Sequence, residues 1–443
     1  MYFAAVDKIK FIVARRSTER QENLKRMEQQ TDINIDKMSS SVRSRLLDNS
    51  PISASCCIFR VPNPLRKHDE QLFTPTSVPI GPYHRDPEKF QFAEKIKLWY
   101  LNRLINRAPT PHTTLECFFT KIAANVNHCL ESYGDEVKMK RDEFVEMLVI
   151  DGCFIIELFR RFLKIVPTSA DDPLFKMPWV RKVLVTDLLL LENQLPWFVL
   201  DRLFNLTKSD NDSERSLLPQ LAHNFFRGSA LRTPGVQLDL KLQNKHLLDL
   251  QRNIMLLGSE ELEDGDFVRI PRVTELLQAG IDFAVGEKHN FMKITFKKGI
   301  LTIPPIIILD NAESLLRNLI AYEQCDENLQ DRIAAYAGFL DNLIDTNEDI
   351  DYLRQKGIVT CFLSPEDVSG FFNRLYNDVH IVHSPFTKVS KEINAYCKSR
   401  WPRWRTRLTR DYFNSPWSII SVIGAVVILV LTFLQTLYAM LYQ

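Results

Sequence analysis

Hydrolytic chemistry, if the chain performs any, would use His84, Glu157 or Glu192. An imidazole and two carboxylates can serve as general base and acid if they converge on one concavity within hydrogen-bond reach of a substrate. His380 and His383 form H-x-x-H, but no Cys or carboxylate lies at a spacing that completes the three or four ligands of a zinc site. Solvated or capping histidines are the simpler reading. Asp151 and Glu157 lie on one helical stretch, yet six residues apart they do not share a face. Glu192 stands beside Asn193, where a helix junction calls for a cap. The acidic run Glu260, Glu261, Glu263, Asp264 and Asp266 has the composition of a calcium loop without its alternate ligands and closing Glu. No Walker loop, G-x-G-x-x-G, G-x-S-x-G or H-E-x-x-H occurs. No catalytic residue, cofactor or metal is therefore assigned, and no small-molecule substrate.

The elements that would position these residues are mostly helical. Phe92, Ile96, Tyr100 and Leu104 recur at four-residue steps, which predicts a helix over Pro87–Asn106. Further helices are expected near Leu115–Tyr133 and over Asp142–Ile165, the second with a broad apolar face. Val180–Phe204 reads as helix on both sides of a junction at Glu192-Asn193-Gln194 and Pro196, because proline disfavours helix in the residue before it. Asp310 and Glu313 resemble a cap for the next helix, and Ser364-Pro365-Glu366-Asp367 is another helix start. Strand signals are few: Ile58–Pro62, a hairpin from Met292–Phe296 through Lys297-Lys298-Gly299 to Ile300–Ile303, and the buried run Ile306–Leu309. The expected fold is α+β, predominantly α-helical, with a small antiparallel sheet or hairpin and one C-terminal transmembrane helix.

The chain has 443 residues, 56 Lys+Arg against 55 Asp+Glu, and 45% hydrophobic residues. This balance excludes a wholly disordered, collagenous or coiled-coil chain, and it lacks the basic excess of a nucleic-acid binder. The charge is unevenly spread, however. Lys398, Arg400, Arg403, Arg405, Arg407 and Arg410 form a basic neck with no acid among them, while the body before it is mildly acidic.

From Tyr412 to Gln443 there is no charge at all. Trp417, Ile419, Ile420, Val422 and Ile423 begin an apolar run. Val426, Val427, Ile428, Leu429, Val430 and Leu431 continue it, and Phe433, Leu434 and Tyr438 close it. About 20 apolar residues in a helix cross a bilayer core, and aromatic residues at both ends suit its two interfaces. Basic residues beside a span stay cytoplasmic, so the body is expected in the cytosol on a C-terminal anchor. Asp7, Lys8 and Lys10 interrupt the start of the chain, leaving no clean signal peptide. The eight cysteines include no C-x-x-C and fit a reducing compartment. Two sequons, at Asn205 and Asn211, point the other way.

Four parts are expected. Residues 1–50 form a variable, partly disordered extension. Residues 51–397 form a globular body, longer than the roughly 250–300 residues at which single cores stop growing, with a lobe break allowed near 205–217. Residues 398–411 are the neck and 412–443 the anchor.

The ordered segments carry a resemblance. Arg60-Val61-Pro62, Val78–His84, Asp151–Glu157, Asp187–Leu200 (DLLLLENQLPWFVL), Ile270-Pro271 and Ala279-Gly280 come in that order. Gly299–Pro304, Asn318, Ala321–Cys325 and Gly357-Ile358-Val359 follow. From Ile58 to Tyr438 the chain resembles the plant DUF247 family, also called UPF0481. The chain departs from the family in residues 1–50 and in Arg85-Asp86-Pro87, where His-Gly is common. A C-terminal anchor is usual in this family, and its name records that no biochemical activity is established. Some members are associated with plant self-incompatibility, which implies recognition. Physically, Gly81, Gly152 and Gly299 are expected at turns or close approaches. Glu192–Gln194 and Tyr322–Gln324 are expected as buried hydrogen-bond partners.

The first expectation is thus a single-pass membrane protein whose partners are the lipid bilayer and an unidentified protein, with no nucleic acid. The alternatives are an extracellular recognition protein and a membrane-tethered hydrolase using His84, Glu157 or Glu192.

Overall fold

Helix α7 (Arg141–Phe162) is apolar on nearly every face, and most of its residues are buried. A helix of that kind must be enclosed by others. In the computed structural model it is packed by α4 (Gln91–Arg107), α5 (Leu115–Ala123), α9 (Trp197–Leu206) and α10 (Leu218–Phe226). The model describes residues 14–22, 34–48, 50, 52–107, 112–168, 170–208, 217–227, 243–258, 265–287, 290–361, 364–399 and 416–441. Gly152 lets α9 come close: a Cβ there would lie 2.5 Å from Leu203 Cδ1.

A second helical group is built on α13 (Ala312–Cys325) and α14 (Arg332–Leu343), with α16 (Pro365–Leu375) against both and α15 (Asn347–Gln355) packed on α16. Helix α11 (Leu247–Leu256) packs on both α10 and α13 and joins the groups. One buried apolar cluster runs through both, from Cys57 to Cys397.

The sheets are small, as expected for a predominantly helical α+β chain. Strands β3 (Thr295–Lys297) and β4 (Ile300–Ile303) form the hairpin, pairing Thr295 with Thr302 and Lys297 with Ile300. Lys298 (φ 52°) and Gly299 (φ 79°) both lie in the left-handed region, as a tight two-residue hairpin turn requires. The first strand starts later than Met292 because Met292 and Ile294 are buried as core residues and the chain turns between them. An unanticipated strand, β2 (Asp282–Val285), adds parallel to β4 and makes this sheet mixed. Ile306–Ile308 (β5) pairs in parallel with Val359–Cys361 (β6), and Gly265–Asp266 (β1) pairs antiparallel with His383–Ser384 (β7).

Ile58–Pro62 is not a strand. It makes one bridge, Ile58 to Tyr133, and then turns its backbone groups to side chains. The helix expected from Pro87 starts at Gln91, after a turn closed by Asp86. The stretch Leu115–Tyr133 divides at Asn125 into α5 and α6 (Val126–Glu131). Ser364 caps α16 as expected, accepting from Asp367 N. Asp310 and Glu313 do not cap α13; they pair with Lys182 and with Arg317 and Arg374.

Residues 1–53 and 54–443 form two units. The first holds α1 (14–22) and α2 (Ile35–Arg43). The second ends in α17 (Thr387–Lys398) and α18 (Pro416–Leu441). Ile423–Leu441 has a mean hydropathy of 2.1 and no residue buried against the rest of the chain. Its Thr432 and Thr436 hydroxyls donate to Ile428 and Thr432 carbonyls one turn back, so these two groups are satisfied within the helix. Lys398 is the exposed last residue of α17, and Arg400 to Arg410 lie outside the described residues.

Candidate functional site

The nine residues between α8 (Pro178–Asp187) and α9 cannot continue a helix, because Pro196 stands at the entrance of α9. Their backbone groups must find other partners, and the side chains of this junction supply them. Asp187 accepts the N–H groups of Thr76, Ser77 and Val78 at 3.0, 2.8 and 2.9 Å. Asn193 accepts from Ile80 N at 2.6 Å and donates to the carbonyls of Val78 and Asp187. Gln194 donates to Leu188 and Leu190 carbonyls and accepts from Leu248 N, at the start of α11. The Leu191 N–H goes to Asn318 Oδ1 on α13, whose amide donates to Leu72 O.

Glu192 is the charged centre of this junction. Its side chain has no exposed surface. Oε1 accepts from Val61 N at 2.7 Å and from the Arg66 guanidinium. Oε2 lies 2.9 Å from His84 Nε2 and 3.6 Å from Arg60 Nη1. Arg60 in turn stacks over the Tyr83 ring at 4.4 Å and pairs with Asp135. Burial works against the Glu192 charge, but His84, the Val61 N–H and Arg66 overcome it, and the carboxyl is held below its ordinary range.

Beside this centre, Gly81 turns with φ 72°, and its N–H donates to Asp151 at 2.9 Å. A Cβ on Gly81 would lie 2.6 Å from Gln194 O, so the turn needs glycine for both reasons. Asp151 pairs at 2.7 Å with the buried Lys97 ammonium, which also donates to Pro79 O. Burial pushes the Asp151 carboxyl up, opposed by Lys97 and the Gly81 N–H.

Of the three candidate hydrolytic residues, His84 and Glu192 meet and Glu157 does not. Glu157 is buried in α7 and held by Arg107 and Arg161, with Arg161 also bridging to Asp172. Cavities among the described residues lie elsewhere. One of about 560 Å³ is lined by Cys56, Cys57, Trp197, Phe198 and Lys245, and one of about 660 Å³ by Arg269, Arg272, Asp341, Asp345 and Tyr376. Neither is lined by His84, Glu157 or Glu192. His380 exchanges backbone hydrogen bonds with the Gln324 side chain, and His383 pairs in β7. Asp266 sits in β1, and the acidic run before Gly265 lies outside the described residues. Cys56, Cys57, Cys117, Cys129, Cys153 and Cys325 are free thiols. Burial pushes Cys56 up to about 11 and Cys57 and Cys325 up to about 12, which keeps these thiols protonated and poorly nucleophilic.

The second expected group behaves like the first. Tyr322 donates to Asp249 at 3.1 Å. Glu323 pairs with Arg252 and accepts from Ile333 N and Ala334 N at the start of α14. Sequence reasoning missed the parallel roles of Asp349, which caps α15 and accepts from Thr274 N, and of His246, which caps α11 through Nδ1 and contacts Cys57 O through Nε2. A cap–acid spacing, Thr346 to Asp349, was the available signal for the first.

The family profile described as DUF247, a plant protein of unknown function, matches residues 58–431. The chain is 28% identical over 433 residues to the UPF0481 protein At3g47200 of Arabidopsis thaliana, covering 91% of this chain and 90% of that one. It is 22% identical over 505 residues to the putative UPF0481 protein At3g02645 of the same plant, covering 91% and 93%. No solved structure matches. The segments that knit this junction, Arg60–Pro62, Val78–His84, Asp151–Glu157, Asp187–Leu200 and Asn318–Cys325, all fall inside the matched span, and the chain belongs to the plant DUF247 (UPF0481) family.

Proposed function

We propose that this is a membrane-anchored protein-recognition or scaffold protein, with residues 51–397 as the recognising body in the cytosol, 398–411 as the neck and 412–443 as the anchor. The carrying observation is α18: an apolar helix in which, among the described residues, nothing buries Ile423–Leu441, preceded in the sequence by six basic residues. Ile420, Ile423, Val426, Val427, Ile428, Leu429, Val430, Leu431, Phe433, Leu434 and Tyr438 are exposed along it, an arrangement that water disfavours and a hydrocarbon core favours. Trp417, Ile419 and Val422 belong to the same helix. Lys398 and Arg400, Arg403, Arg405, Arg407 and Arg410 act as the orienting charges, with a lipid-headgroup contribution of about 1 kcal/mol each near the surface.

The hydrolase reading has one observation in its favour, the 2.9 Å approach of His84 to Glu192. The surroundings weigh against it. A general acid needs a raised carboxyl and a general base needs an accessible one. Glu192 is held ionised by cations and is spent on a backbone N–H. Its arrangement suits a clamp between Val61, Arg66 and His84.

The deciding experiment is topology in plant cells. A body exposed to protease and unglycosylated at Asn205 and Asn211 is the expected outcome; Asn205 is exposed at the end of α9, so its sequon would be reachable. A protected and glycosylated body overturns the cytosolic placement and favours cell-surface recognition. Recovery of the chain in the soluble fraction overturns the anchor.

A further inference from the structure

Helix α2 (Ile35–Arg43) stands in the first unit with none of its residues buried. At about 100° per residue, Ile35, Met38 and Val42 fall within an arc of about 60°. Leu46 extends that line past the helix end, held there by Leu46 N donating to Arg43 O. These residues are 73%, 57%, 48% and 67% exposed. Arg43 borders one flank of the stripe with Asp36 beside it, Arg45 lies just past the helix end on the other flank with its Nε donating to Ser41 O at 3.1 Å, and Lys37 lies on the far side with Ser40, Ser41 and Ser44. The Ser39, Ser40 and Ser44 hydroxyls donate to Asp36, Lys37 and Ser41 carbonyls, and Asn34 caps the free end by accepting from Lys37 N at 2.8 Å. The cap and the serine hydroxyls are thus satisfied within the helix, and among the described residues nothing covers its apolar side.

Resting on the anchored reading above, we infer that α2 is an in-plane helix that lies on an anionic lipid surface. The occupant is chosen by charge and chemistry. An apolar stripe bordered by two guanidinium groups matches the boundary between acyl chains and negative headgroups. Arginine stems can lie along that stripe while their charged ends stay among the phosphates. A stripe of four side chains is small, so it holds a membrane only weakly by itself. In an anchored chain the contact becomes intramolecular, at an effective concentration that makes weak contacts count. The contact would consequently respond to lipid charge while the anchor does not.

The test uses the full-length protein in nanodiscs of phosphatidylcholine alone and of phosphatidylcholine with phosphatidylserine, followed by amide hydrogen exchange over residues 35–46. The expected result is exchange at least about tenfold slower in the serine-lipid discs. The protection is lost in Met38→Ser/Val42→Ser and in Arg43→Glu/Arg45→Glu, while all variants still co-purify with discs. Equal exchange in the two lipids overturns the inference, whether α2 is bare in both or covered in both by protein. Protection that rises with protein concentration also overturns it, in favour of a second copy. A chain that enters discs with α2 unprotected defeats this inference alone; a chain that fails to enter discs defeats the anchored reading and this one with it.

Discussion

The carboxylate of Glu192 accepts the backbone N–H of Val61 at 2.7 Å across 131 residues of sequence. That bond makes a buried acid part of the architecture. The same Oε1 receives Arg66, and Arg60 and His84 close around Oε2. Replacing it by Gln keeps the Val61 contact and removes the charge that Arg60 and Arg66 face. The expected loss is about 3 kcal/mol, since breaking a buried ion pair from one side leaves a cation uncompensated. Because the Glu192 carboxyl is held down in the folded protein, its stabilising contribution is complete above the usual glutamate value of about 4.3 and is lost as pH falls below that. Thermal unfolding of the detergent-solubilised protein from pH 7 to 3 reads both effects, and Glu192→Gln should flatten the acid limb. An unchanged melting temperature would rule out the clamp.

Gly81 and Gly357 separate two costs. Both have positive φ, 72° and 71°. A Cβ on Gly81 meets Gln194 O at 2.6 Å, whereas one on Gly357 meets only Val285 Cγ2 at 3.9 Å. Gly357→Ala should cost about 1 kcal/mol from the backbone alone. Gly81→Ala adds overpacking against a main-chain oxygen and should cost at least about 3 kcal/mol. Equal losses would mean that the junction yields easily.

Lys97 and Asp151 form a buried pair that also carries Pro79 O and Gly81 N. Lys97→Met strands the carboxylate and should cost about 3–5 kcal/mol. Adding Asp151→Asn should restore much of this, because the amide is neutral and its oxygen still accepts from Gly81. A double-mutant cycle with no coupling would show the pair to be independent.

His246 and Asp341 shift in opposite senses over one pH range. Burial pushes His246 down to about 4. Its neutral form is required, so acidification from about 6.5 to 4 costs stability. Burial pushes Asp341 up to about 6, with Asp345 adding to this and Arg269 opposing it. Its ionised form is penalised, so stability is regained as pH falls from 6 toward 4. His246→Asn should make the pH profile flatter on acidification while retaining a capping oxygen. Asp341→Asn should raise stability at pH 7 and make the acid loss steeper. Melting curves at pH 4, 5, 6 and 7 distinguish the two.

Much of the helical framework was legible because its signals are local. The all-round apolar run of α7, the proline entrance of α9 and the Ser364 cap each act within a few residues. The junction at Glu192-Asn193-Gln194 was legible for the same reason: polar residues beside a proline break are well placed to serve the freed backbone groups. Ile58–Pro62 was misread as a strand because its partner is a side chain far along the chain, and no period in the sequence encodes that. The capping reading of Asp310 and Glu313 failed because Lys182, Arg317 and Arg374 compete for those carboxylates, and two of the three arrive from other elements.

The helical class, the charge-free apolar terminus, the basic neck and the family were all readable along the chain, because length, periodicity and composition are properties of contiguous residues. Tertiary structure alone decided that His84 meets Glu192 while Glu157 is held by Arg107 and Arg161, that β2 joins the hairpin in parallel, and that Asp349 and His246 are caps. Those outcomes depend on which distant groups come into hydrogen-bond range once the apolar faces are buried. That choice is made by packing the whole core, where an unpaired polar group is costly and almost any available partner is taken.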